Sequence, residues 1–383
     1  MAPTSEPELY AALAAAIEDE LEGALEVRRR LREHPEPAWQ EVETSATIVA
    51  ALGGAQAVGK AGVVAAAGPE GEPIVVRAEL DALEVDGRVT HACGHDAHMA
   101  ALIALFRAAR ACEPLLPRRL LALFQASEEA YPSGAAAIVE SGALGRGVGA
   151  TIGAHVHPQL AWGEIGCDAG VVNASSDVLG VTMVGGAGHV AYPEQARNPI
   201  PALAAFVAGL AALAGDGRPA GSLATVSRLE AGTADNVIPS RARATVALRA
   251  MSAEARQALR DRVARAAREA ASAHDCDVEL ELTEGEPPLA NDPQLAARAG
   301  ELLVGSGFGL AAPRRSFGSD DFAYFGSLGP QLMMFVGIQG APGFRFAELH
   351  DPGFTAPDAA VRAVALALAA GYCAACFRAD DGV

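Results

Sequence analysis

The 383-residue chain is poor in basic residues, with 29 lysines and arginines against 47 aspartates and glutamates. The formal net charge is −18 at pH 7, and no basic run offsets it. A surface of this charge repels the phosphates of nucleic acids and the headgroups of anionic membranes. We therefore expect no nucleic-acid partner and no membrane partner.

Long hydrophobic runs are also missing. The longest apolar stretches, 200–215 and 363–377, have 16 and 15 residues, whereas a membrane-spanning helix needs about 20. Both are therefore predicted to be buried helices. The N-terminal segment turns acidic from Glu18 onwards and lacks the positive region of a secretory signal, so a cytoplasmic location is expected.

Cysteine is too sparse for a disulfide scaffold, at six in the whole chain. Cys373 and Cys376 have CxxC spacing, but a structural zinc site needs four ligands and no second pair lies nearby. Both are predicted to be small buried residues of a helix.

Strands and helices are predicted to alternate over most of the chain. Helices are expected at 7–33, 45–52, 97–111, 133–141 and 358–375, and strands at 74–76, 120–124, 150–154 and 332–336. Such alternation is typical of an α/β fold with a mixed, mostly parallel sheet.

The segment 176–284 has a different pattern. Strands are expected at 178–184, 224–230, 241–248 and 278–282, with helices at 199–214 and 253–273. This β-α-β-β-α-β order is that of a ferredoxin-like α+β sandwich. The sequence thus predicts an α/β domain over 1–175 and 285–383, with an α+β domain inserted over 176–284.

The densest cluster of reactive side chains contains Cys93 and His95, with Gly94 between them as a tight turn. A thiolate and an imidazole at this spacing can bind one metal ion, and Asp96 is a candidate to orient a ligating imidazole. A nucleophilic Cys–His pair and a purely structural turn are the alternatives.

Further candidates follow predicted strands. Glu128 and Glu129 lie where open α/β sheets place ligands, and one can bind metal while the other acts as general base. His155 and His350 lie past two other predicted strands. The ordinary interpretations are a solvated acidic loop for Glu128 and Glu129, a core histidine for His155 and an exposed turn for His350.

Five of these residues together indicate a metal site more specifically than any one of them does alone. If Cys93 bridges two metal ions, each ion receives three protein ligands from Cys93, His95, Glu129, His155 and His350. That number leaves a position for water, as in open catalytic sites.

These motifs, in this order, resemble a metallopeptidase family that includes aminoacylases, carboxypeptidase G and succinyl-diaminopimelate desuccinylase. The resemblance is greatest to its amidohydrolase branch of bacterial N-acyl-amino-acid amidohydrolases and plant auxin-conjugate hydrolases. It is carried by 34–37 (HPEP), 77–83 (RAELDAL), 91–98 (HACGHDAH), 128–129 (EE), 153–155 (GAH), 185–193 (GGAGHVAYP), 232–239 (GTADNVIP), 318–322 (GSDDF) and 349–350 (LH).

The resemblance implies roles for individual residues. The ligands of two divalent ions, zinc or manganese with cobalt possible, are Cys93, His95, Glu129, His155 and His350. Glu128 is the general base, and His189 is a lid histidine that stabilises the oxyanion in the partner's active site. Asp81 and Asp96 support the ligands, and Asn236, Arg249 and Ser319 bind substrate. A surface histidine and a cross-strand surface arginine are the ordinary interpretations of His189 and Arg249.

The resemblance further implies that 1–175 and 285–383 form the catalytic domain and that 176–284 is a lid through which the chain forms a homodimer. The expected activity is metal-dependent hydrolysis of the amide bond of N-acyl amino acids. A dipeptidase or carboxypeptidase acting on short peptides, and a catalytically silent metal-binding relative, remain as alternatives. The branch usually has Asp at Glu79 and Glu at Asp320, but neither departure removes a ligand or the base.

Overall fold

The computed structural model describes residues 5–145, 147–213 and 220–378. Its helices are α1 (Glu6–Glu33), α2 (Val42–Leu52), α3 (His95–Ala111), α4 (Gly134–Ser141), α5 (Pro199–Leu213), α6 (Ala253–Ala273), α7 (Pro293–Gly305) and α8 (Asp358–Cys376). Its first nine strands are β1 (Gln56–Ala57), β2 (Gly62–Ala67), β3 (Ile74–Glu79), β4 (Leu83–Val85), β5 (Arg88–Thr90), β6 (Leu120–Gln125), β7 (Ala150–Ala161), β8 (Glu164–Gly166) and β9 (Gly170–Asn173). The others are β10 (Ser175–Val184), β11 (Gly188–His189), β12 (Ser222–Ala231), β13 (Val237–Ile238), β14 (Arg241–Ala250), β15 (Asp277–Glu284), β16 (Leu289–Asn291), β17 (Gly309–Leu310) and β18 (Gln331–Gln339).

The described residues form two units. The first lies within Met1–Gly170, Ala290–Arg314 and Asp321–Val383, and the second within Val171–Leu289 and Arg315–Asp320. The second unit is thus an insertion in the first, and the short segment 315–320 groups with it although we predicted it within 285–383.

The first unit is built on an eight-stranded sheet in the order β1-β2-β6-β3-β7-β18-β8-β17. Its four central strands, β6, β3, β7 and β18, run parallel, while β2 and β8 join them antiparallel. Strands of this kind are covered by helices and are therefore mostly apolar, as in Ile74, Val75 and Val76 of the fully buried β3. The predicted α/β class and mixed, mostly parallel sheet are confirmed.

The C-terminal helix α8 lies in the core of the first unit. Its 19 residues are long and apolar enough for a membrane span by length and composition alone, so our prediction that no segment reaches this length is wrong. Nevertheless 83% of its apolar window is buried inside the protein, as expected of a core helix. Cys373 is fully buried in it, and Cys376 is partly buried.

The second unit has the predicted ferredoxin-like fold. Its four-stranded antiparallel sheet has the order β12-β14-β10-β15, which is the order of a β-α-β-β-α-β sandwich. Helices α5 and α6 contribute Leu203, Phe206, Leu259 and Val263 to its core. The bounds predicted for α6 agree with the structure at both ends.

A buried carboxylate joins this sheet to α6. Asp177 on β10 is 1% exposed and accepts hydrogen bonds from Arg256 Nε and Arg260 Nε, at 2.9 and 2.8 Å. Burial alone raises the pKa of Asp177, but the two guanidinium groups outweigh it and bring the pKa to about 2. The charged form of Asp177 therefore stabilises the folded unit.

We expect Asp177→Asn to lower the free energy of unfolding at pH 7 by about 2–3 kcal/mol. The folded pKa lies below the unfolded value of about 3.9. The stabilisation is therefore present above pH 4 and is lost as the pH falls towards 2. Urea unfolding at pH 7 and pH 3 measures it, with Asp277→Asn as the control because the Asp277 carboxylate is 75% exposed, 3.4 Å from Arg197. Equal stability of Asp177→Asn and wild type at pH 7 would contradict this account.

Candidate active site

The candidate ligands lie at one end of the parallel strands. Carboxyl ends of parallel strands meet at one edge of a sheet, where open α/β folds bind ligands. Asp81 follows β3 by two residues, Glu129 follows β6, and His350 lies in the loop after β18. The strand ends therefore bring together side chains that are far apart in the sequence.

Cys93 and His95 are positioned by a tight turn at the start of α3. Gly94 has a φ of 89°, and a Cβ there would lie 2.6 Å from Val156 Cγ2. Glycine is therefore required on both conformational and steric grounds. The turn follows the β4–β5 hairpin, which is separate from the eight-stranded sheet.

The acidic pair is held by a second tight turn. Ser127 has a φ of 51°, and its backbone N–H donates to the buried Glu41 carboxylate at 2.8 Å. The N–H of Glu129 donates to Asp81 Oδ2 at 2.9 Å. These bonds direct the side chains of Glu128 and Glu129 to His95 Nε2, at 3.9 and 3.8 Å.

The two distant histidines reach the site differently. His155 lies inside β7 and not after it, because pairing with β18 continues to His157. His350 has a φ of 67°, and its N–H donates to Ala92 O at 2.8 Å. This bond ties the last loop to the Cys93 turn and leaves His350 Nε2 3.3 Å from Glu129 Oε1.

The five predicted ligands form two groups that share Cys93. One group is Cys93, His95 and His155, and the other is Cys93, Glu129 and His350; the donor atoms within each group lie within 4.8 Å of one another. Cys93 Sγ is 3.3 Å from His155 Nε2. Each group could hold one divalent ion with three protein donors, and Cys93 is common to both groups.

The electrostatics of the site favour a cation. Burial lowers the pKa of His155 to about 4, so its imidazole is neutral. Burial also lowers the pKa of His95, but hydrogen bonding to Asp81 and the charge of Glu79 outweigh it and raise that pKa to about 10. Burial, with the charges of Glu129 and Glu128, raises the pKa of the Cys93 thiol. Protons and a divalent cation therefore compete for the same negative site.

An unsatisfied atom supports metal binding. His95 Nε2 is buried and has no hydrogen-bond partner among residues 5–145, 147–213 and 220–378. Its Nδ1 lies 2.9 Å from Asp81 O, an arrangement that directs Nε2 to a metal. Buried polar atoms are nearly always satisfied. Imidazole, thiolate and carboxylate together suit zinc and related divalent ions, so the residues fit the implied metals.

Of the two predicted supporting carboxylates, only Asp81 contacts the ligands. Asp96 accepts from Arg28 Nε at 2.7 Å and does not orient a ligating imidazole. Successive helix residues project about 100° apart, so Asp96 faces α1 while His95 faces the sheet. Our prediction for Asp96 is wrong in this respect.

A buried polar network that adjoins the ligands was not predicted from the sequence. Arg77 pairs with Glu79 and, at 2.6 Å, with Asp321. Glu79 in turn lies 2.9 Å from His98 Nδ1. The signal available in the sequence was a charged pair inside the otherwise apolar β3.

The predicted residues of the second unit lie at two places. His189 and Asn236 lie on the exposed β11–β13 ribbon and the turn before β13, where Val190 N–H approaches Asn236 O at 3.4 Å. Arg249 donates to Ser319 Oγ at 2.7 Å. Arg249 is thus bound to another predicted substrate residue and is not a solvated surface arginine.

Comparison with known proteins places the chain in a family. The model of Peptidase family M20/M25/M40 matches residues 70–371. The chain belongs to this family. The resemblance deduced from the motifs is therefore confirmed, as is the catalytic fold with an inserted domain.

Individual relatives and a solved structure agree with this family assignment. The chain is 31% identical to N-acetylcysteine deacetylase of Bacillus subtilis (strain 168), over 88% of this chain and 92% of that protein. It is 32% identical to IAA-amino acid hydrolase ILR1-like 4 of Arabidopsis thaliana, over 86% and 80%. The YXEP protein of Bacillus subtilis, a dinuclear metal binding peptidase from the M20 family, superposes with a TM-score of 0.81 at 28% identity, covering 93% of this chain and 98% of that one.

We expect Gly94→Ala to weaken metal binding at least tenfold, because its methyl group would displace either Val156 or the Cys93 turn. Equilibrium dialysis with zinc, followed by elemental analysis, measures the affinity. Gly87→Ala in the β4–β5 turn is the matched control, since it has a φ of 72° and an open surrounding. Equal loss in both variants would show that positive φ alone, and not contact with Val156, is responsible.

Proposed function

We propose that this protein is a metal-dependent hydrolase of the amide bond of N-acyl amino acids. The observation that carries the proposal is the pair of donor groups sharing Cys93, with the Glu128 carboxylate beside them. The relatives named above, a deacetylase of N-acetylcysteine and a hydrolase of indole-acetyl amino acids, support a small N-acyl substrate.

The proposed ligands are Cys93, His95, Glu129, His155 and His350, and zinc or manganese is the proposed metal, with cobalt a third candidate. Bound divalent ions polarise a carbonyl and favour ionisation of water. The neutral His155 imidazole and the Asp81-oriented His95 imidazole are suited to hold such ions in a fixed geometry.

Glu128 is the proposed general base. Its Oε2 lies 3.9 Å from the unsatisfied His95 Nε2, and its side chain is 13% exposed. A carboxylate there can take a proton from the attacking water and return it to the leaving amine, which a group bound to metal cannot do as readily. Proton transfer of this kind contributes roughly 10²–10⁴-fold to the rate.

We further propose that the second unit supplies substrate contacts and forms a homodimer. His189 would stabilise the oxyanion in the partner's site, with Asn236, Arg249 and Ser319 binding substrate. Two features support association: β12 is an edge strand, and Leu229 on it is 53% exposed. Unpaired edges with apolar residues favour pairing with another chain.

The substrate could instead be a dipeptide or a peptide C-terminus, because the same donors suit either bond. A screen by release of free amine, on protein loaded separately with zinc, manganese or cobalt, distinguishes these activities. We expect N-acyl amino acids to be cleaved at least tenfold faster than dipeptides. Faster cleavage of dipeptides would favour the peptidase, and bound metal without turnover on any substrate would favour a silent relative.

We expect Glu128→Gln to retain both metal ions while kcat falls by about 10²–10⁴-fold, because the amide cannot accept a proton. Metal content by elemental analysis and turnover of an N-acetyl amino acid are measured on the same sample. Glu301→Gln, at an exposed position on α7, is the matched control and should leave both unchanged. A Glu128→Gln variant with near-normal kcat would exclude Glu128 as the base.

A further inference from the structure

A third buried imidazole lies against the proposed ligands. His98 is 1% exposed and is placed on α3 one turn after His95. Its ring centroid is 4.5 Å from that of His155, in an edge-to-face arrangement. Glu79, His95 and His98 also place one donor atom each within 4.8 Å of one another, so His98 must be tested as a metal ligand.

Both nitrogens of His98 are already engaged. Nε2 is 3.0 Å from the backbone nitrogen of Val156, which can only donate, so the ring lone pair is at Nε2. The proton is therefore on Nδ1, which donates to Glu79 Oε2 at 2.9 Å. Arg77 occupies the other oxygen of Glu79. Because both ring nitrogens are hydrogen-bonded, neither is available to bind a metal ion.

Val156, which is bonded by His98, is also bonded by the neighbouring proposed ligand His155. His155 Nδ1 is 2.7 Å from Val156 O. The N–H of Val156 therefore bonds one imidazole, that of His98, and its carbonyl oxygen bonds another, that of His155. His98 fixes the peptide before Val156, and His155 is oriented by the peptide after it. The ring of His155 thereby presents Nε2 towards Cys93 Sγ, at 3.3 Å.

We propose that His98 is a positioning residue: as a neutral hydrogen-bond acceptor for Val156 N–H it fixes His155 for the ion at Cys93, His95 and His155. The inference rests on the proposed function, because it requires a divalent ion in that group. It predicts an asymmetric effect, since the group of Cys93, Glu129 and His350 contains no residue held by His98.

The test compares His98→Met with His98→Gln. Methionine fills a similar volume without a comparable acceptor, whereas the glutamine amide oxygen can accept from Val156 and its NH₂ can donate to Glu79. Cobalt binding is measured by equilibrium dialysis, and circular dichroism checks that each variant is folded. We expect His98→Met to bind one ion with wild-type affinity and the second at least tenfold more weakly, and His98→Gln to recover most of that loss.

Four results separate the possibilities. Two ions bound by His98→Met with wild-type affinity would overturn the proposal, as would equal weakening of both ions. The same loss in His98→Gln as in His98→Met would exclude the acceptor role. Failure of the wild-type protein to bind two ions would instead refute the proposed function.

A measurement on the unaltered protein covers the case in which His98→Met does not fold. In protein labelled with ¹⁵N-histidine, NMR should show the His98 ring protonated at Nδ1 and unprotonated at Nε2. This pattern should be the same before and after zinc is added, while the signals of His95 and His155 move. A His98 proton at Nε2, or a zinc-induced shift as large as that of His155, would overturn the proposal.

Discussion

The need to neutralise one buried guanidinium group organises the first unit. Arg77 is fully buried in the middle of the apolar sheet, and an unpaired charge there would cost several kcal/mol. Its Nε donates to Gln125 at 2.9 Å, and its terminal nitrogens pair with Glu79 and Asp321. Asp321 also accepts from Ser133 Oγ at 2.7 Å. One charge therefore fixes β3, β6, the start of α4 and the segment at Asp321 against one another.

The candidate metal ligands are joined to this network by hydrogen bonds, which hold them in place. Glu79 connects Arg77 to His98, and His98 connects it to β7 next to His155. Asp81, two residues past β3, holds His95 through its carbonyl oxygen and Glu129 through its carboxylate. A metal site needs ligands that are held before the ion arrives, because ordering them on binding would weaken affinity.

The sequence predicted what depends on local pattern. The period of apolar residues located α6, and the loop motif identified Cys93 and His95. What it missed depends on contacts between distant segments. β7 runs seven residues beyond the predicted 150–154 because β18 pairs with it, and Asp96 is taken by Arg28, 68 positions away. The role of His98 depends on a backbone N–H from β7, which no side-chain motif records.

The two buried lysine or arginine side chains among the described residues, Arg28 and Arg77, are both arginines. All but one of the 29 lysines and arginines are arginine, the exception being Lys60. Arginine keeps its charge when buried and donates in several directions, whereas a buried lysine readily loses its proton. Arg28 shows the consequence: it bonds Asp96, Asp358 Oδ1 and Ala356 O at 2.6–2.7 Å. The start of α3, which carries His95, is thereby joined to the start of α8 by a cation that no lysine could replace with the same geometry.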